Sequence, residues 1–593
     1  MKKKVDMSKF ACTTMIVGKK ASVDGSVIVA HSDDDVADER VIYIPARTWN
    51  LTDEKENLRP VFYDDASLGA DRKYNSTDIR RYIGDTRGPG YQTQDEGYAE
   101  SKPIGNIPQV ENTFAYFDCN YGIMNEHNLM FGECTCGAKH QPGPDSKKRL
   151  FYSAELSRVA LERCKTAKEA ILLMATLIEK YGYYGTGETL LVGDADEAWV
   201  MEMAAYCDDC EDGVWVAQRV DDEEYFVAAN EFRIRDIKKG KIKHYTDEEK
   251  LTDVHYGISK DHKNEIWYSA NLFDVADEYD WEVKDEQLDW LSNISWGEYS
   301  HPYYSLRRVW RAFSKVAPSI ELPPEVEGGY TRKYPFSLKP DKKLSVIDIA
   351  HVYRDHYEGT PFDLTRGFAA GPWNNPVRYE GNPDQNADTF NLNKYHPKGA
   401  WERPLSIYRC GVMWINQAKK LKHDVIGFSW IGLDRPVANC IMPFSTKMPQ
   451  LPMEIQTMNL LDFEFNGPSA WWAFNFVANY ANLNYRYMME DVRALQSEME
   501  NIAFTRINSC MQKDDPECAI LFCLEHAETV IKKWWQLAGR LVVKYNDGCV
   551  TTTATSIMQK KIDYPEEWLV EAGYYDGPIT YEEEPILDHQ YMG

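Results

Sequence analysis

Two apolar runs, Thr13–Gly18 and Ser26–Ser32, flank the turn-forming segment Val23-Asp24-Gly25. An Asp-Gly pair between β-branched runs is a strong local signal for a β-hairpin. The pairing constrains everything downstream, because it decides which side chains stand beside Cys12, the residue that heads the first run. With a centre near residue 22, position 12 falls opposite 31 or 32. His31, Ser32, Asp33 and Asp34 are then brought up to the thiol. Facing side chains of an antiparallel pair lie about 5 Å apart at Cβ. A thiol beside an imidazole and carboxylates is a nucleophile with a means of activation, since an imidazolium lowers a thiol pKa from its free value of about 8.5. Taken alone, a cysteine in a first strand is more often a small core hydrophobe. The run His31-Ser-Asp-Asp-Asp35 also reads as a polar strand end entering a loop.

The eleven residues ahead of Cys12, MKKKVDMSKFA, carry four lysines and no apolar stretch of signal-peptide length. They read as a short leader. Cleavage at Ala11–Cys12, with the thiol attacking the preceding carbonyl, would free the α-amine of Cys12. The residue would then hold a nucleophile and its own base, a recognised form of covalent catalysis.

Composition narrows the classes. The chain has 593 residues, 43% hydrophobic and 13% aromatic, enough for a large core. A net charge of −26 disfavours nucleic acid or an anionic membrane as partner, since both reward basic patches. No apolar run approaches the roughly 18–20 residues of a bilayer span. Thirteen cysteines, an odd number without a secretion signal, suit a reducing cytoplasm. Cys207-Asp-Asp-Cys210 has CxxC spacing but no second pair at zinc-ligand distance, so it reads as an acidic loop.

Periodicity predicts strands at Val41–Pro45, Thr113–Cys119, Tyr121–Met124 and Leu129–Cys134, then amphipathic helices over Ser153–Arg163 and Ala167–Tyr181. Leu190–Val192 with Ala198–Met203 reads as a hairpin, and Val214–Val220 with Tyr225–Ala229 as another. Ser305–Phe313 and Val346–Tyr357 look helical, Val412–Ile415 and Val425–Gly432 extended. Long helices are expected over Ala470–Glu500 and Pro516–Lys544, without a sustained heptad. Strands, two helices, then strands again point to an α+β or layered sandwich rather than βαβ winding.

Cys12-Thr-Thr-Met-Ile-Val-Gly-Lys-Lys-Ala-Ser-Val-Asp-Gly-Ser26, followed by Ala30-His-Ser-Asp-Asp34 and Asp38-Glu-Arg40, resembles the opening of the dipeptidase A family. These are cysteine peptidases of the N-terminal nucleophile (Ntn) hydrolase superfamily, related to secernins and more distantly to penicillin V acylases and bile salt hydrolases. Gly122-Ile-Met-Asn-Glu126, Gly132-Glu-Cys-Thr135, Val227-Ala-Ala-Asn-Glu-Phe-Arg-Ile234 and Ser305-Leu-Arg-Arg-Val-Trp-Arg311 extend the resemblance over roughly residues 12–450. It implies an αββα four-layer sandwich with surface insertions, Cys12 as nucleophile, and Asp34 as the aspartate that bonds the N-terminal cysteine. It implies Asn230 as a holder of the oxyanion and Arg308 as a support for the catalytic aspartate and cysteine. Thr135 falls where the acylases place an oxyanion asparagine, and His31 where they carry an arginine. Both departures leave the corresponding roles open.

The reading expected from these features is a cytoplasmic cysteine dipeptidase that hydrolyses short peptides through a thioester acyl-enzyme. Asp33, Asp35, Glu126 or Glu133 would receive the substrate α-ammonium. No metal or cofactor is required. The alternatives are an N-acyl amino acid amidase of the same superfamily and a non-catalytic secernin-like protein. The expected division is a self-cleaved leader at 1–11, a peptidase domain at 12–545 with insertions near 51–110 and 240–300, and an acidic tail at 546–593. A homo-oligomer is expected from the superfamily.

Overall fold

A computed structural model describes residues 12–34, 40–62, 103–260, 264–298, 304–326, 328–379, 401–422, 425–448, 450–457, 465, 469–513, 515–553 and 557–574. The leader at 1–11, Asp35, Asp38, Glu39 and the end of the tail lie outside them.

The first hairpin forms as strands Thr13–Val17 and Val27–Asp33. It sits in the middle of a seven-stranded antiparallel sheet. Tyr225–Ala228 pairs with its outer side, and Val412–Lys420, Val425–Leu433 and Met442–Phe444 follow on the other. Every residue of both hairpin strands is buried, so the strands read as apolar runs and not as an alternation. A second, ten-stranded antiparallel sheet contains Met130–Cys136, Gly187–Gly193, Ala198–Ala204 and Val214–Arg219. The two sheets touch where Met130–Cys136 and Gly187–Gly193 cross the first hairpin. A side chain on Gly132 would meet Thr14 Oγ1 at 2.6 Å, so glycine there lets the second sheet's backbone press onto the nucleophile strand.

Ser153–Arg163 and Ala167–Tyr181 form helices as their periodicity predicts, the second capped by Thr166. Their apolar faces share a core with Phe131, Leu190, Val192 and Trp199, on the outer side of the ten-stranded sheet. Leu306–Val316, Val346–Tyr353 and the C-terminal helices contact strands of the seven-stranded sheet.

Two expectations are corrected. Val214–Arg219 and Tyr225–Ala228 are not a hairpin: the first pairs with Ala198–Ala204 and the second with Thr13–Val17, in different sheets. The turn between them carries the chain across the core. The helix expected over Ala470–Glu500 is two helices, Ala470–Ala481 and Tyr485–Gln512, joined by a 3-10 turn at Asn482–Asn484. Asparagine competes for backbone hydrogen bonds without the strong break signal of Gly or Pro, so periodicity runs through it. Residues in the 240–300 segment extend the ten-stranded sheet through Lys241–Asp247, Thr252–Ile258 and Ile266–Ser269. Pro516–Lys544 forms as predicted, with Asp515 capping the Cys518 N–H. Among the described residues no helix is long and apolar enough to cross a membrane.

Candidate active site

The hairpin register pairs Thr13 with Ser32 and Thr14 with His31. Continued one step, it sets Cys12 against Asp33, one residue past the expected position. The pairing is thus centred between Ser22 and Val23, half a residue beyond the expected axis. Opposed residues share a face and alternate residues point oppositely. His31 and Asp33 therefore stand on the Cys12 side of the sheet, and Ser32 points away.

Cys12 is buried. Its Sγ, a ring nitrogen of His31 and a carboxylate oxygen of Glu133 all lie within 4.8 Å of one another. His31 is held by the backbone of Glu133, with Nδ1 2.8 Å from the carbonyl oxygen and 3.2 Å from the amide nitrogen. Its ring packs on Trp414 at 4.2 Å between centroids. Burial drives the His31 pKa down to about 3. The imidazole is thus neutral at physiological pH, and the imidazolium expected to acidify the thiol is not formed. Burial pushes the Cys12 thiol well up, and the nearby Glu133 and Asp33 carboxylates push it further.

Glu133 stands beside Glu188. The register sets Thr135 directly opposite Glu188, and the Thr135 hydroxyl donates to Glu133 Oε1 at 2.7 Å. Ser153 Oγ donates to Glu188 Oε2 at 2.8 Å. Burial raises Glu133 to about 8 and Glu188 well above the usual carboxylate range. A buried carboxyl pair of this kind retains at least one proton at neutral pH.

Arg308 ties the cysteine to Asn230. Its Nη1 donates to the Cys12 carbonyl oxygen at 2.8 Å and to Thr13 Oγ1 at 2.9 Å. Its Nη2 donates to Ala229 O at 3.1 Å and to Asn230 Oδ1 at 2.7 Å. Asn230 is in the left-handed region at φ 64°, which asparagine tolerates better than most residues. Its Nδ2 donates to Thr135 O at 2.7 Å, and its backbone N–H to Cys134 Sγ at 2.7 Å. The amide is thereby fixed in orientation, with one N–H of Nδ2 left to serve a ligand.

Asp34 is anchored by an arginine that sequence reasoning did not single out. Arg403 Nη2 donates to Asp34 Oδ2 at 2.6 Å, and both side chains are buried. Arg409 donates to the Asp34 carbonyl oxygen. Arg308 and Arg403 both lie over the Tyr304 ring, at 4.8 and 5.7 Å. Arg308 thus supports the cysteine, while Arg403, distant in sequence, supports the aspartate.

The remaining candidates separate. Asp33 Oδ2 accepts from Asn120 Nδ2 at 2.7 Å, within the site. Glu126 caps the Ala115 N–H at 2.8 Å, and its charge acts on Tyr43 and His127 in a separate cluster. Asp35 lies outside the described residues. Sequence reasoning missed Glu188, Cys134 and Arg403. Glu188 carried a readable signal, a charged residue opening an apolar strand; the other two carried none.

The model of peptidase family C69 matches residues 11–57 and 117–498, more than half of the chain. A probable dipeptidase from Latilactobacillus sakei is 25% identical over 60% of this chain and 62% of its own length. Dipeptidase A from Lactobacillus helveticus is 22% identical over 86% of this chain and 89% of its own. Penicillin V acylase from Agrobacterium tumefaciens aligns with a TM-score of 0.26 and 10% identity, over 74% of this chain and 87% of that one.

Proposed function

The chain belongs to peptidase family C69, and from that premise we propose that it is a cysteine dipeptidase whose nucleophile is Cys12 after loss of residues 1–11. The observation that carries the reading is the Arg308 fork, which holds the Cys12 carbonyl and the Asn230 amide in one buried network.

Maturation proceeds by attack of the Cys12 thiol on the Ala11 carbonyl. The thioester forms as the amide C–N bond breaks, and the amine takes up the thiol proton. Water then hydrolyses the thioester, releasing the leader as a carboxylic acid and restoring the thiol. The freed α-amine, with an ordinary pKa near 8, supplies the base that neutral His31 does not. Asp34, anchored by Arg403, holds that amine.

In turnover the thiol proton passes to the amine, and the thiolate attacks the scissile carbonyl of a dipeptide. Asn230 Nδ2 donates to the oxyanion; one such donor is typically worth about 10²–10³ in rate. The leaving amine takes the proton back from the Cys12 ammonium. Water, deprotonated by the same amine, then cleaves the thioester. Asp33 and Glu133 receive the substrate α-ammonium. A cation entering beside Glu133 favours its ionised form, so binding and deprotonation are linked. An N-acyl substrate brings no cation for Asp33 and Glu133 to receive and so gains nothing from them, which argues against the amidase alternative.

The helices outside each sheet support an αββα sandwich, with 12–545 as the peptidase domain and 546–593 as an appended tail. A cytoplasmic location and a homo-oligomer complete the proposal. Intact mass and a panel of free dipeptides test it. The expected result is a chain beginning at Cys12 with activity that Cys12→Ala abolishes. Full activity in a Cys12→Ala chain would refute it.

A further inference from the structure

We propose that Cys12 Sγ, His31 Nε2 and the Glu133 carboxylate form a binding site for a zinc-like divalent cation, occupancy of which silences the thiol. Among the described residues, this is the one group of three cysteine, histidine or carboxylate ligands close enough to share an ion. Cys12 Sγ, a ring nitrogen of His31 and a Glu133 carboxylate oxygen lie within 4.8 Å of one another. Bond lengths of about 2.0–2.3 Å in tetrahedral zinc sites place ligand atoms roughly 3.3–3.8 Å apart. Closing around an ion therefore takes movements of about 1 Å at each ligand atom.

Sulfur, imidazole nitrogen and carboxylate oxygen suit zinc and cobalt and are poor for magnesium or calcium. The outer contacts are those such a site needs. When His31 Nδ1 donates to the Glu133 carbonyl, 2.8 Å away, Nε2 carries the lone pair. Nε2 is buried and has no hydrogen-bond partner. Glu133 Oε1 is oriented by the Thr135 hydroxyl, while the carboxyl is otherwise engaged by Glu188 and by the Cys12 thiol itself. Burial keeps the imidazole in the neutral form that ligates.

Binding is a proton exchange. The S–H bond of Cys12 breaks as the S–metal bond forms, and the proton goes to solvent. A protonated Glu133 gives up its proton in the same way. In the processed enzyme the α-amine of Cys12 supplies a fourth ligand, closing a five-membered chelate through Cα and Cβ.

The test is titration of the purified full protein with Co²⁺, followed by displacement with Zn²⁺. One equivalent should produce the visible bands of four-coordinate cobalt and a thiolate-to-cobalt charge-transfer band, and Zn²⁺ should erase both. Cys12→Ser should lose the charge-transfer band. Glu133→Gln should weaken Co²⁺ binding at least 10-fold. The double variant Cys207→Ser/Cys210→Ser should behave as the parent. Absence of the bands, their survival in Cys12→Ser, or their loss in the Cys207/Cys210 variant would overturn the proposal. The optical readout does not depend on peptidase activity, so a protein that binds cobalt this way yet cleaves no dipeptide would refute the proposed function alone.

Discussion

Replacing Glu133 with glutamine should make the protein progressively more stable than the parent as pH rises, an outcome opposite to that for most carboxylates. Glu133 is fully buried beside Glu188, and its titration is moved up from the ordinary 4.5 to about 8. In the unfolded chain it titrates near its ordinary value. Between those two pH values the folded protein binds the proton and the unfolded chain does not. Stability therefore falls as pH rises through that window and levels off above it. At roughly 1.4 kcal/mol per unit of pKa difference, the upper limit for this one group is about 5 kcal/mol. Glutamine keeps the shape and the hydrogen bond from Thr135 and removes the titration. Urea unfolding followed by tryptophan fluorescence at pH 5, 7 and 8.5 gives the difference in midpoint between variant and parent. That difference should grow with pH, while the other buried carboxyls raised by burial, Glu188, Glu202 and Glu231 among them, account for slope that the variant retains. A difference constant across the three pH values would show that Glu133 ionises freely in the folded state.

Four further outcomes follow from the site. Arg308→Lys loses the planar fork that reaches Cys12, Thr13, Ala229 and Asn230 together; kcat/KM should fall by about 10² or more if the oxyanion donor is displaced, and a value within twofold of the parent would refute that placement. Arg403→Met leaves Asp34 buried without its cation and should cost about 3–5 kcal/mol, read as a drop in urea midpoint that Asp34→Asn in the same chain partly restores. Cys12→Ala should retain residues 1–11 by intact mass, whereas Asn230→Ala should shed them more slowly than the parent. Free dipeptides should be hydrolysed and their N-acetyl forms refused, with Glu133→Gln raising KM for the free forms more than it lowers kcat.

The first hairpin was legible because its evidence is local: two β-branched runs, a turn, and a cysteine at the head. The same is true of Pro516–Lys544, where Asp515, Pro516 and the periodicity agree. The failures are of a different kind. Val214–Arg219 and Tyr225–Ala228 are each readable as strands, yet nothing local says that the turn between them crosses from one sheet to the other. The Arg403–Asp34 pair spans 369 residues and rests on a single arginine in the unremarkable run Glu402-Arg403-Pro404. Such partners are set by how the sheets stack, which a single sequence does not encode residue by residue.

The one-residue difference in hairpin register shows how much chemistry depends on that stacking. A pairing of Cys12 with Ser32 would have placed His31 and Asp33 on the face away from the thiol. The observed register puts both on its own face and turns Ser32 away. Burial first, and the Glu133 and Asp33 carboxylates after it, oppose ionisation of the thiol, and the neutral imidazole does nothing to offset them. That environment holds the resting thiol in its protonated form. In the proposed mechanism the Cys12 amine freed by processing supplies the base that removes this restraint. The acidic surroundings that hold the thiol protonated are also, in the proposed mechanism, the ones that attract an α-ammonium, so the restraint on the thiol and the preference for free dipeptides come from the same carboxylates.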